Sequence, residues 1–485
     1  MENNCATYLG AKGYTIYKEC LTEKEQKTIR KELTVRPFAP KSSIVKPQAF
    51  QVYRESKSKF YLPRFYGVNT YGKPDEERIS SGKDIDLKFK GELRDFQKPI
   101  VDTYVKSALN NKCGLLHVAT GMGKTIMALN IISKLKKKTI IIVHKEFLLR
   151  QWLERIEQFL PGAKVGRIQG KILDIEDKDI VIGMLQSIAM KEYPQEVFSD
   201  FGLTITDETH HISAEVFSRS LFKVVTKYML GLSATMNRKD GLTTVIKMFL
   251  GEVVYKKERK GENNVLVRAI KYSNNDEYFS KIELNFRGHV HYTKMIKKLC
   301  EFNRRSEFIL GVLKDILEEE VNEQIMILGH NKNLLKYLHD AIVDRNIATV
   351  GYYVGGMKEK DLKISESKKV IIATYAMAEE GLDIKTLTTL LMATPRVDVT
   401  QAVGRILRRQ HVQANVIDIV DQHPIFERHW NKRRLFYTKQ KYNILITDME
   451  GYKNNKWEKI LKRNKKKPVK NPDEIFFRGQ CLISN

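Results

Sequence analysis

A glycine-containing turn that ends in lysine and threonine follows an apolar stretch and precedes a helical pattern. Its residues are Thr120, Gly121, Met122, Gly123, Lys124 and Thr125. In a turn of this kind, backbone N–H groups and the N-terminus of the next helix surround the phosphates of a nucleotide. The Lys124 ammonium reaches the β- and γ-phosphates, and the Thr125 hydroxyl binds Mg²⁺. The turn therefore predicts a triphosphate site, although Val118 occupies the place where the strict pattern has glycine.

A pair of acids, Asp207 and Glu208, follows a second apolar stretch at 203–206, about 80 residues after the turn. At a strand end in the same sheet, the aspartate would hold Mg²⁺, and the glutamate would orient and deprotonate the attacking water. Alone, such a pair is typical of any charged loop at a strand end. Its position after the phosphate-binding turn favours hydrolysis of the triphosphate.

Two arginines, Arg405 and Arg408, lie three residues apart in a string that begins at Gln401. On a helix, this spacing places both side chains on one face. Arginines that reach the γ-phosphate from across a cleft stabilise the charge of the transition state only when two domains close. The string therefore predicts an active site to which a second domain contributes.

Two series of alternating strands and helical stretches must position these residues. The first, over 89–255, has strand candidates at 115–118, 139–143, 179–182, 203–206 and 229–233. The second, over 291–445, has strand candidates at 324–328, 349–353, 369–373, 388–392 and 415–420. Such alternation makes a parallel sheet covered by helices. We therefore expect two α/β domains in tandem with a cleft between them, joined by a linker over 256–290.

Residues 1–88 carry none of these motifs and are expected to form a small α+β accessory domain. Thr22 and Glu25 have the spacing of a capping box at a helix start, and alternation around 55–58 indicates a hairpin. Aromatic side chains lie among cations nearby, at Tyr53, Arg54, Lys57, Lys59, Tyr61, Arg64, Phe65 and Tyr66. This pattern is equally typical of base stacking and of a small core with a basic rim.

Residues 446–485 are expected to be a basic C-terminal tail, because lysine dominates 453–470 and Glu458 is the single acid there. Three interpretations stay open for this cluster: a solvated end, a nuclear-targeting signal, or a DNA-backbone contact outside the cleft. The last of these is our hypothesis, since each phosphate that a lysine neutralises releases counterions.

The order and spacing of the motifs resemble the superfamily 2 helicases, motors that walk on nucleic acid, over about 93–442. The resemblance implies an α/β fold of two tandem RecA-like domains, with parallel sheets around an ATP cleft, and ATP and Mg²⁺ as cofactors. It makes His210 the histidine that couples the triphosphate to the other domain. It also implies that Gln97 reads adenine, which an amide pairs with bidentately, and that Asp383 binds ribose.

The same resemblance assigns contact with nucleic acid, or its coupling to hydrolysis, to residues at strand ends. They are His144, Ser233, Thr235, Arg238 and Thr374, with weaker matches at 169–170, 186–187 and 329–331. The arginine and acid at 238–240 resemble those of the xeroderma-pigmentosum-B-type translocases, the phage recombination helicase and the poxvirus transcript-release helicase. The xeroderma-pigmentosum-B-type translocases have an arginine–glutamate–aspartate string there, and Lys239 replaces the glutamate in this chain.

The overall composition limits the classes of partner and compartment that the protein can have. Lysine and arginine number 84 against 58 acids, a net charge of +26, which favours a polyanionic partner. No apolar run reaches the roughly 20 residues of a membrane helix, and no secretory signal is visible. The five cysteines form no CxxC pair, which is unlike a zinc or iron–sulfur site and fits a reducing compartment.

We therefore expect a DNA-dependent ATPase, either a helicase or a double-strand translocase, which in the resembling families moves 3′ to 5′. It would act as a monomer in the cytoplasm, a viral factory or a virion of a large DNA virus, with the nucleus as the alternative. Repair, recombination and transcription are all compatible with it, and a transcription complex is a candidate partner. Two alternatives remain: an RNA-directed DExH helicase, and a scaffold that binds nucleic acid without turnover.

Overall fold

The structure, a computed structural model, describes residues 7–38, 47–110, 113–208, 214–234, 241–257, 265–319, 324–380, 384, 386–407 and 413–460. The chain divides into two compact units. The first comprises Met1–Lys260 with Glu379–Asp383, and the second comprises Gly261–Ala378 with Ile384–Asn485. Among the described residues, no helix combines the length and the apolar character needed to cross a membrane.

The N-terminal part of the first unit is a small α+β structure. Its strands are β1 (Thr7–Gly10), β2 (Gly13–Tyr17), β3 (Thr34–Val35), β4 (Phe50–Gln51), β5 (Arg54–Glu55), β6 (Lys59–Leu62) and β7 (Glu76–Glu77), and its helices are α1 (Glu23–Glu32) and α2 (Arg64–Tyr71). Five strands form a sheet in the order β5-β6-β2-β1-β7, and β3 pairs with β4. The predicted capping box is confirmed, with the Glu25 N–H donating to Thr22 Oγ1. The predicted hairpin is confirmed as the antiparallel pair β5–β6.

The N-terminal aromatics mainly form a core. Tyr53 and Phe65 are buried, and Phe65 packs in one apolar cluster with Phe217 and Phe249 of the same unit. Arg64 is also buried and donates to the carbonyl of Lys227 at 2.8 Å. The structure therefore favours the core interpretation over base stacking for these side chains.

The cysteines differ from the expectation. Cys20 is disulfide-bonded, whereas Cys113 and Cys300 are buried free thiols. Disulfides are rare in the reducing compartments that the cysteine pattern favoured. A disulfide forms where the fold brings two Cα atoms within about 6 Å, and no spacing in the sequence predicted it here.

An eight-stranded sheet forms the rest of the first unit. Its strands are β8 (Gly114–Val118), β9 (Thr139–Val143), β10 (Val165–Gln169), β11 (Ile172–Asp174), β12 (Ile180–Met184), β13 (Leu203–Asp207), β14 (Tyr228–Ser233) and β15 (Val253–Lys257). Its helices are α3 (Lys98–Leu109), α4 (Lys124–Leu135), α5 (Glu146–Phe159), α6 (Leu185–Met190), α7 (Ala214–Leu221) and α8 (Thr243–Leu250). The strand order is β11-β10-β12-β9-β13-β14-β8-β15.

Every pairing in this sheet is parallel except β10–β11. A parallel sheet needs helices on both faces, so its central strands are apolar throughout. All five residues of β9 are buried, for example. The five predicted strands of this unit are confirmed, while β10, β11 and β15 were not predicted. These three lie toward the edges of the sheet and are partly exposed, so their apolar signal is weak.

A second eight-stranded sheet forms the core of the second unit. Its strands are β16 (Val265–Tyr272), β17 (Gln324–Gly329), β18 (Val350–Tyr353), β19 (Val370–Thr374), β20 (Leu387–Met392), β21 (Ala414–Asp421), β22 (Asn443–Asp448) and β23 (Glu458–Lys459). Its helices are α9 (Glu277–Ser280), α10 (Tyr292–Glu301), α11 (Asn303–Glu319), α12 (Lys332–Asp344), α13 (Glu359–Glu366), α14 (Tyr375–Glu380), α15 (Thr400–Ile406), α16 (Pro424–Lys439) and α17 (Met449–Lys453). The order is β18-β19-β17-β20-β21-β16-β22-β23, parallel except for β22–β23. Two mostly parallel sheets confirm the predicted α/β class with two RecA-like domains.

Two predicted segments are corrected by this sheet. The linker over 256–290 is wrong where β16 lies, because β16 is an inner strand paired with β21 and β22. The tail over 446–485 is wrong up to residue 460, because β22 continues to Asp448 and pairs with β23. Both strands adjoin polar, lysine-rich sequence, which concealed their local signal. Residues 461–485 lie outside the described part of the chain.

Two buried ion pairs join helices to β21. Arg305 of α11 contacts both carboxylate oxygens of Asp421, at 2.5 and 2.9 Å. Arg433 of α16 contacts both oxygens of Asp418, at 2.7 Å each. Bidentate pairing of this kind fixes geometry as well as charge. The pairs therefore set the positions of these two helices against the second sheet.

Candidate active site

The phosphate-binding turn and the acid pair lie at one edge of the first sheet. The turn follows β8, and Asp207 is the last residue of β13. Only β14 separates these two strands, and all three are parallel. Because parallel strands end at a common edge, residues about 80 positions apart in the sequence become neighbours there.

The backbone of the turn has the form that its glycines predict. Gly121 and Gly123 have φ values of 79° and 81°, in the left-handed region where residues with a side chain are strained. A Cβ atom on Gly123 would also lie 2.4 Å from Gln97 Nε2. Thr120 Oγ1 is buried without a hydrogen-bond partner among the described atoms, and Thr125 lies in the first turn of α4. A buried hydroxyl and two left-handed glycines before a helix N-terminus fit a phosphate ligand.

Gln97 lies against the turn rather than pointing into solvent. It is 2% exposed; its Nε2 donates to the Met122 carbonyl at 2.9 Å, and its Oε1 accepts from the Arg94 N–H at 2.9 Å. A primary amide has two donor and two acceptor positions, so one of each is used within the protein. The adenine contact predicted for Gln97 would use the other pair, and it remains a proposal.

Lys124 and Glu208 form an ion pair across this edge. The Lys124 Nζ and Glu208 Oε1 atoms are 3.1 Å apart, with the side chains 10% and 18% exposed. Glu208 has a φ of 49°, which is uncommon for a residue with a long side chain. Backbone in this region costs about 1–3 kcal/mol, so the surrounding structure must hold it in place. The strained turn directs the glutamate toward the lysine of the phosphate-binding turn.

Asp207 is held by two hydrogen bonds. Its Oδ2 accepts from Trp152 Nε1 at 3.0 Å, and its Oδ1 accepts from the Glu208 N–H at 2.9 Å. Burial raises the pKa of the Asp207 carboxyl above its ordinary value, and the Glu208 carboxylate raises it further, while Lys124 opposes the shift. The sequence did not predict the contribution of Trp152. A tryptophan on the apolar face of α5 has no local feature that distinguishes it from any other core residue.

Asp207 and Thr125 supply the kind of ligands that Mg²⁺ prefers. Both offer oxygen atoms, and magnesium in proteins is bound by one or two carboxylates together with substrate phosphates and water. A buried carboxylate beside a phosphate-binding turn fits this donor set. The residues present are therefore suited to Mg²⁺ and a triphosphate together.

Further motif residues occupy the same edge of the first sheet. His144 directly follows β9, and Gln186 Nε2 donates to its carbonyl at 3.4 Å. The Gly170 N–H donates to Ser187 Oγ at 2.9 Å. Ser233, the last residue of β14, is fully buried. Hydrogen bonds thus join 144 to 186 and 170 to 187, and Ser233 ends a strand at the same edge. Their contact with nucleic acid stays a prediction.

In the second unit, the motif residues also lie at strand ends and on the following helices. Thr374 ends β19 opposite Gly329 of β17. Gln401 and Arg405 are buried on α15, and Arg405 Nε donates to the Ala378 carbonyl at 2.8 Å. This bond fixes the direction of the Arg405 guanidinium. His210, Thr235, Arg238, Asp383 and Arg408 lie outside the described residues.

A histidine cluster after β17 was not given a specific role by the sequence. His330 Nδ1 lies 2.8 Å from Thr394 Oγ1, and its ring lies 4.8 Å from that of Tyr375. Tyr375 donates its hydroxyl proton to the Thr394 carbonyl at 2.6 Å. Burial lowers the pKa of His330 to about 4, and Arg396 and His429 lower it as well. The string at 329–331, a weak match to the family's motifs, is the sequence feature that marks this strand end.

Comparison with known proteins gives a consistent set of relatives. Residues 90–238 match the family described as type III restriction enzyme, res subunit. The chain is 34% identical over 460 residues to a candidate ATP-dependent RNA helicase of Acanthamoeba polyphaga mimivirus, covering 92% of this chain and 87% of that one. It is 28% identical over 374 residues to a candidate helicase of Invertebrate iridescent virus 6, covering 73% and 83%. It is 25% identical over 378 residues to a DNA 3′–5′ translocase of Sulfurisphaera tokodaii, covering 69% and 82%.

Proposed function

Because this chain belongs to the superfamily 2 helicases, we propose that it couples ATP hydrolysis to movement along DNA, as a helicase or a double-strand translocase. The coarser activity follows from the family, whose members are nucleic-acid motors that use ATP with Mg²⁺. The observation that carries the proposal is the 3.1 Å pair of Lys124 and Glu208 beside Asp207. This arrangement joins a phosphate-binding cation, a general base and a metal ligand at one sheet edge.

In the proposed reaction, Glu208 orients a water molecule and accepts its proton as the water attacks the γ-phosphate. Lys124 neutralises charge on the transferred phosphoryl group. The ion pair between them holds the two side chains next to each other before the nucleotide binds. Lys124 then has a new anionic partner in the triphosphate, and Glu208 is released toward the water.

Mg²⁺ would be held by Thr125 and Asp207, and it neutralises charge that develops on the phosphate oxygens. Trp152 keeps the Asp207 carboxylate in one orientation through its N–H donor. Thr120 offers its buried hydroxyl to the phosphates, and Gln97 offers the unused half of its amide to adenine. Gln97 also holds the phosphate-binding turn in place by donating a hydrogen bond to the Met122 carbonyl.

We assign Arg405, together with Arg408, to the γ-phosphate from the second RecA-like domain. Arginines in this role supply charge when the domains close and withdraw it when they open, which couples hydrolysis to movement. The bond from Arg405 Nε to Ala378 limits the rotation of the guanidinium. In this proposal the first RecA-like domain covers about 89–255, and the second starts at β16.

DNA is the proposed nucleic-acid substrate, and RNA is the alternative. The resemblance of 238–240 to the xeroderma-pigmentosum-B-type translocases supports DNA, as does the Sulfurisphaera tokodaii relative, which is named a DNA translocase. The mimivirus relative, which is named an RNA helicase, supports RNA instead. The viral relatives support action in an infected cell. We propose transcription, repair or recombination as the process, a viral factory or virion as the site of action, and a transcription complex as a candidate partner.

The test measures steady-state ATP hydrolysis in the presence of duplex DNA, single-stranded DNA or single-stranded RNA of equal nucleotide concentration. Stimulation by DNA well above that by RNA supports the proposal, and the reverse order supports the RNA alternative. Displacement of a triplex-forming third strand, without separation of the duplex, would identify a translocase. The Lys124→Ala variant is the control, since hydrolysis that survives this change comes from a contaminant. Binding without hydrolysis by the wild type would support the scaffold alternative.

A further inference from the structure

A short hairpin projects from the second unit between α9 and α10. The His291 N–H donates to the Glu283 carbonyl at 2.7 Å, and the Asn285 N–H donates to the His289 carbonyl at 2.7 Å. The Asn285 side chain accepts from the backbone N–H groups of Arg287 and His289, at 2.9 and 3.0 Å. We call residues 283–291 the basic hairpin. Hydrogen bonds within the hairpin close its tip.

The base of the basic hairpin is fixed on α10. Lys298 is buried, and its ammonium donates to the Lys281 carbonyl at 2.6 Å. The same ammonium forms an ion pair with Glu283 at 3.0 Å, and the Glu283 N–H contacts Met295 Sδ at 3.2 Å. These contacts attach the base of the basic hairpin to α10.

The tip exposes an aromatic side chain that is not packed in the hydrophobic core. Phe286 is 76% exposed, the largest exposed fraction among the described large apolar side chains. Tyr278 of α9 and Leu284 of the hairpin are also about half exposed. The Arg287 guanidinium lies 5.1 Å from the centre of the Phe286 ring, and the Lys298 ammonium lies 4.9 Å from that of Tyr278. Both rings are therefore accessible and have a cation close by. Arg287 is exposed beside Phe286, whereas Lys298 is buried and paired with Glu283.

The charge around the tip favours a polyanionic partner. Residues 278–298 carry Lys281, Arg287, Lys294, Lys297 and Lys298 against one acid, Glu283. Lys298 pairs with Glu283 and Lys297 with Glu301, so the favourable charge comes from Lys281, Arg287 and Lys294. Aromatic rings among cations suit single-stranded nucleic acid, whose bases stack on the rings while its phosphates contact the cations. Lysine is depleted at protein–protein interfaces, so a protein partner is less favoured for this surface.

We propose that the basic hairpin is a contact for single-stranded nucleic acid, in which Phe286 stacks on an unpaired base and Arg287 contacts the adjoining phosphate. This inference rests on the proposed function, because that function supplies nucleic acid as the ligand. It adds a binding site that lies outside the helicase motifs. Base stacking needs an unpaired face, so the contact recognises single strands and strand junctions rather than continuous duplex. It is tolerant of sequence, because every base has such a face.

The experiment measures equilibrium binding of a fluorescent single-stranded oligonucleotide and of a hairpin-capped duplex to full-length variants. Phe286→Ala should weaken binding of the single strand roughly tenfold and leave binding of the duplex within about twofold of the wild type. Phe286→Trp should restore affinity, and the fluorescence of the new tryptophan should be quenched when the strand binds. Ile364→Ala removes another exposed apolar side chain of the same unit and should leave both affinities unchanged.

The salt dependence of single-strand binding distinguishes the role of Phe286 from that of Arg287. Arg287→Ala should lower the slope of log Kd against log salt by about 0.7, the value for one phosphate contact on a single strand. Phe286→Ala should leave this slope unchanged because it removes no charge. The inference would be overturned if Phe286→Ala bound the single strand as tightly as the wild type does, or if it lost as much affinity for the capped duplex as for the single strand. Binding of nucleic acid by the wild type would leave the proposed function standing in either case. A wild type that binds no nucleic acid would instead refute the proposed function itself.

Discussion

The indole N–H of Trp152 donates to Asp207 Oδ2 over 3.0 Å. Trp152 lies on α5, and this helix begins immediately after the turn that carries His144. Asp207 ends β13 and is the carboxylate proposed to hold Mg²⁺. A single hydrogen bond therefore connects the nucleotide site to the helix that leads from a proposed nucleic-acid contact. We interpret Trp152 as a positioning residue for Asp207.

Trp152→Phe should keep most of the apolar packing and remove only the donor. A hydrogen bond to a charged group contributes about 1.5–3 kcal/mol, so kcat should fall roughly tenfold or more. The Mg²⁺ concentration for half-maximal hydrolysis should rise, which a purely structural role would not change. Trp430→Phe, a buried tryptophan of the second unit, is the matched control. An unaltered Mg²⁺ titration for Trp152→Phe would refute the positioning role.

Glu208→Gln should bind ATP normally and hydrolyse it at least roughly 10²-fold more slowly, because an amide can orient water but cannot accept its proton. Binding of a fluorescent nucleotide and single-turnover hydrolysis measure the two effects separately. Lys124→Ala should weaken nucleotide binding itself. Turnover by Glu208→Gln within a few-fold of the wild type would show that another group is the base.

Arg405→Ala should lower kcat roughly 10³-fold, as expected for an arginine that reaches the γ-phosphate, with a smaller effect on nucleotide affinity. Exposed Arg428 on α16 offers the control, and Arg428→Ala should hydrolyse ATP like the wild type. Replacing Arg408 should have an effect of the same kind. Full DNA-stimulated turnover by both Arg405→Ala and Arg408→Ala would contradict an active site shared by two domains.

The stability of the second unit should depend on pH through His330. Its pKa of about 4 in the folded protein lies below the ordinary value of 6.5 for histidine, so the unfolded state binds more protons between these values. Stability therefore rises with pH across this window and is lost as pH falls from about 6.5 toward 4. His330→Asn should show a smaller loss of Tm on acidification from pH 6.5 to 4.5. Exposed His289→Asn is the control, and a His330→Asn variant with the wild-type profile would contradict this account.

Removing residues 461–485 should flatten the salt dependence of duplex binding by several units, because each lysine–phosphate contact contributes about 0.9 to the slope. Basal hydrolysis should not change, since the segment carries no nucleotide motif. The truncation must begin after Ile460, because an earlier end would remove β23 from its pairing with β22. Equal slopes for the full-length and truncated proteins would show that the tail does not contact DNA.

Local sequence determined the elements that position the nucleotide. The apolar run at 139–143 is buried on both faces as a strand of a helix-covered parallel sheet must be, and the glycines before Lys124 adopt the left-handed backbone that only glycine enters easily. The acid pair follows its strand as the motif order predicts. These features depend on residues within a few positions of one another, so periodicity and turn chemistry reveal them.

Tertiary structure alone decided the relationships between distant residues. Trp152 meets Asp207, 55 positions away, because β9, which precedes α5, pairs directly with β13. Arg305 meets Asp421 because α11 packs over the end of β21. The inner position of β16 likewise depends on β21 and β22, which lie more than 140 residues further along the chain. Strand order and helix packing set these distances, and neither leaves a periodic signal in the residues that eventually touch.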